Sequence, residues 1–96
     1  MDEEQAVKAA ALCAILGNPV RLSLVRAMLL QDTSVAELSS IAGLSQSATS
    51  QHLARLRAVG LVETRRDAQT IYYRCTSHAV RKLLHVVDQT NRNGSE

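Results

Sequence analysis

Residues 45–57, SQSATSQHLARLR, carry side chains suited to recognition rather than to bond making. Advancing about 100° per residue along a helix puts Gln46, Ser47, Ser50, Gln51, Ala54 and Arg57 on one side. Ala48, Thr49, His52, Leu53, Leu56 and Val59 fall on the other. A Gln amide offers a donor and an acceptor together and can pair bidentately with adenine N6 and N7. A Ser hydroxyl bonds to any base edge. Both are short, so a helix presenting them can lie close to the bases of a major groove. Ser45 suits the cap of such a helix, whose N-terminus also attracts phosphate. Arg55 and Arg57 follow where the helix would leave the groove near the backbone. Arg65, Arg66 and Gln69 sit beside the tip of an expected hairpin, where they suit phosphates or a minor groove.

Other reactive residue types are sparse. His78, His85 and Asp88 share one helical face, spanning about 80°, and are the candidates for a metal site. His52 falls on the apolar side of its helix and reads as a buried, satisfied histidine rather than a base contact. Cys13 sits among Ala and Leu and reads as packing, while Cys75 follows a strand and could be exposed. The two form no Cys-x-x-Cys pair, and the sequence gives no clear basic or helix-terminal cue for a lowered thiol pKa at either. The sequence holds no nucleophile elbow, Gly-rich phosphate loop or paired-carboxylate motif, so an enzyme is not expected and no cofactor is implied.

The elements that must position these groups can be read in order. Residues 5–16, QAVKAAALCAIL, form a helix that is apolar on more than one side and so expects two neighbours. Asn18 caps the next helix, 19–30, with Pro19 in its first turn. QDT reads as a turn. SVAE is a capping box that opens a short helix, 34–42, closed by Gly43. Only Leu44 and Ser45 precede the polar-striped helix, so the two make a helix-turn-helix, and Gly60 ends it. LVETRR (61–66) and TIYYRC (70–75) are strand-like around a short DAQ loop. Residues 77–90 return to helical spacing, and residues 1–4 and 91–96 are expected to fray. The expected order is α-α-α-α-β-β-α, mainly α with a β-hairpin wing.

The 96 residues allow one domain spanning 1–96, which buries only about 60–65% of its unfolded surface. With Tyr72 and Tyr73 as its two aromatics, its core must be aliphatic, and a partner subunit would help. Leu12, Cys13 and Leu16 on the first helix, and Val80, Leu83, Leu84 and Val87 on the last, are the expected homodimer contacts. Charge is uneven. Residues 1–37 hold three basic against five acidic side chains, and residues 38–96 hold eight against four. The second part thus faces something anionic. No apolar run approaches the roughly 18 residues of a membrane span, and the acidic start MDEEQAVKAA is unlike a signal peptide, so a cytoplasmic protein is expected.

LGNPVRLSLVRAML, SVAELSSIAGLSQSATSQHLARLRAVGLVETRRDAQTIYY and the closing helix together resemble the ArsR/SmtB family of dimeric winged-helix repressors, over about residues 10–88. SQSATSQHLARLR with RRDAQTIYY is most similar to the branch of nodulation repressors and haemolysin-gene regulators. The resemblance implies a homodimer paired through the first and last helices, base contacts from Gln46, Ser47, Ser50 and Gln51, and a place on the bacterial nucleoid. It also defines what this chain lacks. The metal-binding Cys-x-Cys pair of some members would fall at Ser34 and Ala36. The first thiol-switch cysteine is replaced by Ser39, and no Cys follows Cys75. The late pair of zinc ligands is replaced by Gln89 and Arg92. The expected function is a sequence-specific regulator, a repressor, binding an inverted repeat in double-stranded DNA. The alternatives are a winged-helix protein-interaction module and a metal- or redox-responsive sensor of the same family. No effector can be named.

Overall fold

The computed structural model describes residues 1–94, with side chains to Asn91. The elements run α1 (Glu3–Leu16), α2 (Pro19–Leu30), β1 (Thr33–Ser34), α3 (Val35–Ala42), α4 (Gln46–Ala58), β2 (Val62–Asp67), β3 (Thr70–Cys75) and α5 (His78–Gly94). This is a winged helix-turn-helix, as the sequence implies. The sheet has three strands, however, in the order β1-β3-β2 and antiparallel throughout. β1 joins the end of the expected QDT turn to the helix cap, with Thr33 paired to Tyr73 and Ser34 to Tyr72. Two residues carry no local strand signal; the partner strand supplies it.

Helix ends follow side-chain chemistry. Asn18 Oδ1 accepts from the amides of Val20 and Arg21 at 2.9 and 3.1 Å. Ser34 and Glu37 form the expected capping box, and Ser45 Oγ accepts from the Ala48 amide at 3.1 Å. Gly43 closes α3 at φ 67°, a conformation that disfavours any side chain, and the Leu44 amide reaches back to the Ser39 carbonyl at 3.1 Å. Asp2 and Gln5 form a reciprocal capping box that starts α1 at Glu3, and α5 continues through Gly94. Residues 95–96 lie outside the described residues.

The core is aliphatic. Leu24, Val25 and Met28 of α2, Leu38 of α3, Leu53 and Leu56 of α4, and Val80 and Leu84 of α5 meet with Leu16, Leu61, Val62 and Cys75. Thr49 is fully buried on α4, and its hydroxyl donates to the Ser45 carbonyl at 2.8 Å, so it packs without an unmet polar atom. Within the chain, α1 packs against the core along one side, through Leu12, Ile15 and Leu16, and Val7 stays exposed. The second neighbour expected for this helix is not part of the protomer's own core. No single helix among the described residues is long and apolar enough to cross a membrane.

Candidate nucleic-acid interface

The helix-turn-helix places the polar stripe where the sequence predicts. Thr49, Leu53 and Leu56 anchor α4 in the core. Their opposite face then carries Gln46, Ser47, Ser50, Gln51, Ala54 and Arg57, all exposed. None of the two Gln and two Ser side chains in this stripe makes a hydrogen bond within the described residues. Ser45 differs: its hydroxyl caps the helix. Ser45 thus fixes the start of the stripe.

The wing divides residues that look equivalent in the sequence. Side chains alternate faces along a strand. Val62, Thr64 and Arg66 therefore share one face with their partners Cys75, Tyr73 and Ile71. Glu63, Arg65 and Asp67 share the other with Arg74, Tyr72 and Thr70. Arg65 turns back toward the body: its Nε donates to Asp32 Oδ2 at 2.9 Å, and its guanidinium lies 4.8 Å from the Tyr72 ring centre. On the opposite face, Arg66 Nε donates to the Ala68 carbonyl at 3.2 Å, its one hydrogen bond among the described residues. Gln69 is exposed at the hairpin tip. Ala68 beside it has φ 58°, a left-handed conformation that a side chain disfavours.

The cations then sort by partner. Lys8, Arg26, Arg65 and Arg74 are ion-paired to Glu4, Asp88, Asp32 and Glu63. Arg21 and Arg81 donate to the carbonyls of Ile15 and Leu29. Among the described residues, Arg55, Arg57 and Lys82 have no hydrogen-bond or ion-pair partner, and Arg66 has no carboxylate. Three of these four, all but Lys82, lie on α4 or the wing. The Arg92 side chain lies outside the described residues.

A notch separates α4 from the wing. Ser50, Ala54, Arg57 and Ala58 line it on one side and Tyr73 on the other. Ala58 and Tyr73 had no signal in the sequence, because the notch exists only once β3 is docked beside α4.

The remaining candidates are dispersed. Asp88 forks onto Arg26, with contacts of 2.7 and 2.9 Å, and this ion pair raises the Arg26 pKa further. His85 Nε2 faces the Gln89 amide at 3.2 Å, and His78 is exposed at the start of α5. Among the described residues no three His, Cys, Asp or Glu side chains gather where they could hold a metal. His52 lies on the packed side of α4, but its buried Nδ1 has no partner among the described residues, so the satisfied-histidine expectation fails at that atom. The packed side of an amphipathic helix offers aliphatic surface rather than donors. Cys75 is buried, contrary to expectation, because its side chain shares the inner face of the wing with Val62; burial pushes its thiol pKa up.

The expected dimer contacts also divide. Leu16, Val80 and Leu84 belong to the protomer's own core, with Val80 fully buried. Leu83 and Val87 are exposed, as is Val86, which the sequence reading passed over. Cys13 is exposed and Leu12 half-buried on α1. One flank of α5 is occupied by α2, through Arg26–Asp88 and the Arg81 bond to the Leu29 carbonyl. The Leu83/Val86 flank is left open.

Residues 18–64, from the Asn18 cap to the start of the wing, match the family model described as bacterial regulatory protein, arsR family. The chain is 49% identical over 81 residues to the nodulation protein NolR of Rhizobium meliloti, a match covering 84% of this chain and 66% of that protein. To the transcriptional activator HlyU of Vibrio cholerae it is 44% identical over 85 residues, covering 88% of this chain and 79% of HlyU. The crystal structure of NolR from Sinorhizobium fredii superposes with a TM-score of 0.84 at 45% identity, over 90% of this chain and 86% of that one. A homodimeric winged helix-turn-helix DNA-binding domain from Mycobacterium bovis superposes with a TM-score of 0.81 at 26% identity, over 100% of this chain and 91% of that one. Fold, polar-striped helix and sequence agree: the chain belongs to the ArsR family of bacterial transcriptional regulators.

Proposed function

We propose that this protein is a sequence-specific regulator, a repressor, that binds an inverted repeat in double-stranded DNA as a homodimer, with α4 in the major groove. The observation that carries this reading is the exposed Gln46/Ser47/Ser50/Gln51 stripe, continued by Arg57, whose side chains have no partner among the described residues. Such a surface offers hydrogen bonds to base edges, flanked by positive charge for phosphates. Occupying a promoter would exclude polymerase, which gives repression. The mixed outcome among relatives, one of which is called an activator, fits a sign set by operator position.

The dimer reading rests on exposed apolar surface. Val7, Ala11 and Ala14 recur at helical spacing on the open side of α1, and Leu83 and Val86 do so on α5. Soluble monomers rarely leave such faces to water. A two-fold would place two α4 helices in successive major grooves, about 10 base pairs apart or a multiple of this. Such a regulator works in the bacterial cytoplasm, on the nucleoid.

Selection of bound fragments from a bacterial genome, followed by titration of Gln46→Ala and Gln51→Ala, tests the reading. Each variant should weaken the selected site by about 1–3 kcal/mol and relax base preference at one position in each half-site. Equal losses on selected and random DNA would show that the stripe does not read sequence. Failure of the wild-type protein to retain any duplex would leave the interaction-module alternative.

A further inference from the structure

The wing notch has the chemistry of a single anion site. It opens beside Ser50, Ala54 and Arg57, so it is continuous with the stripe proposed to face the bases. A helix seated in a major groove has a phosphate backbone along each edge of that groove. In that docking the strand nearest the wing would run past the gap between α4 and β3, where the notch lies. Its polar groups suit a phosphate. Arg57 makes no hydrogen bond or ion pair among the described residues, and neither does the Tyr73 side chain. Among the described residues no carboxylate lines the notch. The small Ala54 and Ala58 leave room for close approach. Arg66 lies on the same wing face as Tyr73, two residues nearer the tip by register, or about 7 Å.

We infer that the Ser50–Arg57–Tyr73 notch is a binding site for one DNA backbone phosphate, with the Tyr73 hydroxyl donating to a phosphate oxygen and Arg57 supplying the charge. This makes Tyr73 a binding residue, and it rests on the DNA-binding reading above. Arg66 would take the next phosphate toward the tip. The half-buried Tyr73 ring packs against the core, so its hydroxyl is held in place rather than swung on a free side chain.

The contact is with backbone, so its effect is independent of sequence, and mixed-sequence duplex DNA of about three helical turns is a sufficient probe. Tyr73→Phe keeps the ring and removes one neutral donor. It should weaken the duplex about three- to tenfold, leave the salt dependence unchanged and leave the unfolding midpoint in place. Arg57→Ala should weaken binding and lower the slope of log affinity against log salt by about 1. Losses in the double variant should fall short of the product of the single losses, because both groups hold one phosphate. Ala58→Glu, an exposed change that puts a carboxylate in the notch, should weaken binding more than tenfold with the helix content retained. Wild-type affinity in both Tyr73→Phe and Ala58→Glu would overturn the phosphate site while leaving DNA binding intact. Absence of duplex binding by the wild type would instead remove the reading on which the site depends.

Discussion

Arg65 and Asp32, 33 positions apart in sequence, are joined by a 2.9 Å Nε–Oδ2 contact that ties the wing to the segment entering α3. The same guanidinium covers the Tyr72 ring, and Tyr72 pairs with Ser34 of β1. Its sequence neighbour Arg66 is on the other face of the wing. The two arginines should therefore behave differently. Arg66→Ala should weaken all duplexes and lower the salt slope by about 1. Arg65→Ala should leave the slope unchanged and cost only about 0–1 kcal/mol of folding stability, as a half-exposed pair does. An equal drop in slope for both would show that Arg65 exchanges Asp32 for a phosphate when DNA binds.

Assembly should respond to the open flank of α5 and not to its core side. Val86 is 59% exposed in the protomer, so Val86→Glu can be accommodated in a folded monomer. Sedimentation at micromolar concentration should show dimer for the wild type and monomer for Val86→Glu, with unchanged helix content. Leu84→Glu buries a charge in the protomer core and should cost about 3 kcal/mol or more, unfolding the chain rather than only separating it. A dimeric Val86→Glu protein would place the interface elsewhere.

The wing tip is strained at one residue. Ala68 occupies φ 58°, which costs a residue with a Cβ roughly 1–2 kcal/mol. Glycine avoids that cost but gains freedom in the unfolded chain. Ala68→Gly should stabilise the fold by about 0.5–1 kcal/mol, seen as a higher midpoint in urea. A lower midpoint would contradict the left-handed tip.

Thiol and metal chemistry should be silent in DNA binding. Cys75 is 3% exposed and its thiol pKa is raised, chiefly by burial. Its reaction with a thiol reagent should wait for unfolding. The sign for stability follows. The unfolded thiol ionises above about pH 8.5 while the folded one resists, so protons are lost preferentially by the unfolded chain. Cys75 thus favours the fold below that pH, and its contribution declines as pH rises beyond it; Cys75→Ser should reduce the decline. Duplex affinity in chelator, zinc, reductant and mild oxidant should agree within a few-fold. A zinc-dependent loss abolished by His85→Ala would revive the metal-sensor alternative.

Much of this molecule is written locally. Asn18–Pro19, the Ser34/Glu37 box, Gly43, Ser45 and Gly60 each act within about one helical turn, so the helix-turn-helix and its boundaries are legible from the residues alone. The amphipathic split of α4 is equally local, since one rotation per residue decides which side chains can be buried together. The Asp2–Gln5 cap has the same local character and was there to be read. Other features depend on partners far along the chain. The two-residue β1 exists because Thr33 and Ser34 meet Tyr73 and Tyr72. Val80 and Leu84 turn inward while Leu83 and Val86 stay outward because the core formed with distant segments accepts one face of α5, and Asp88 and Arg81 meet α2 in that same rotation. Arg65 and Arg66 look alike in the sequence and part because a strand sends neighbours to opposite faces, with only one face opposite Asp32. The sequence by itself determined the helices, the hairpin and the polar stripe of α4, through interactions short in sequence. The tertiary structure alone decided which cations stay free and where a notch forms, because both depend on contacts between segments that no local pattern specifies.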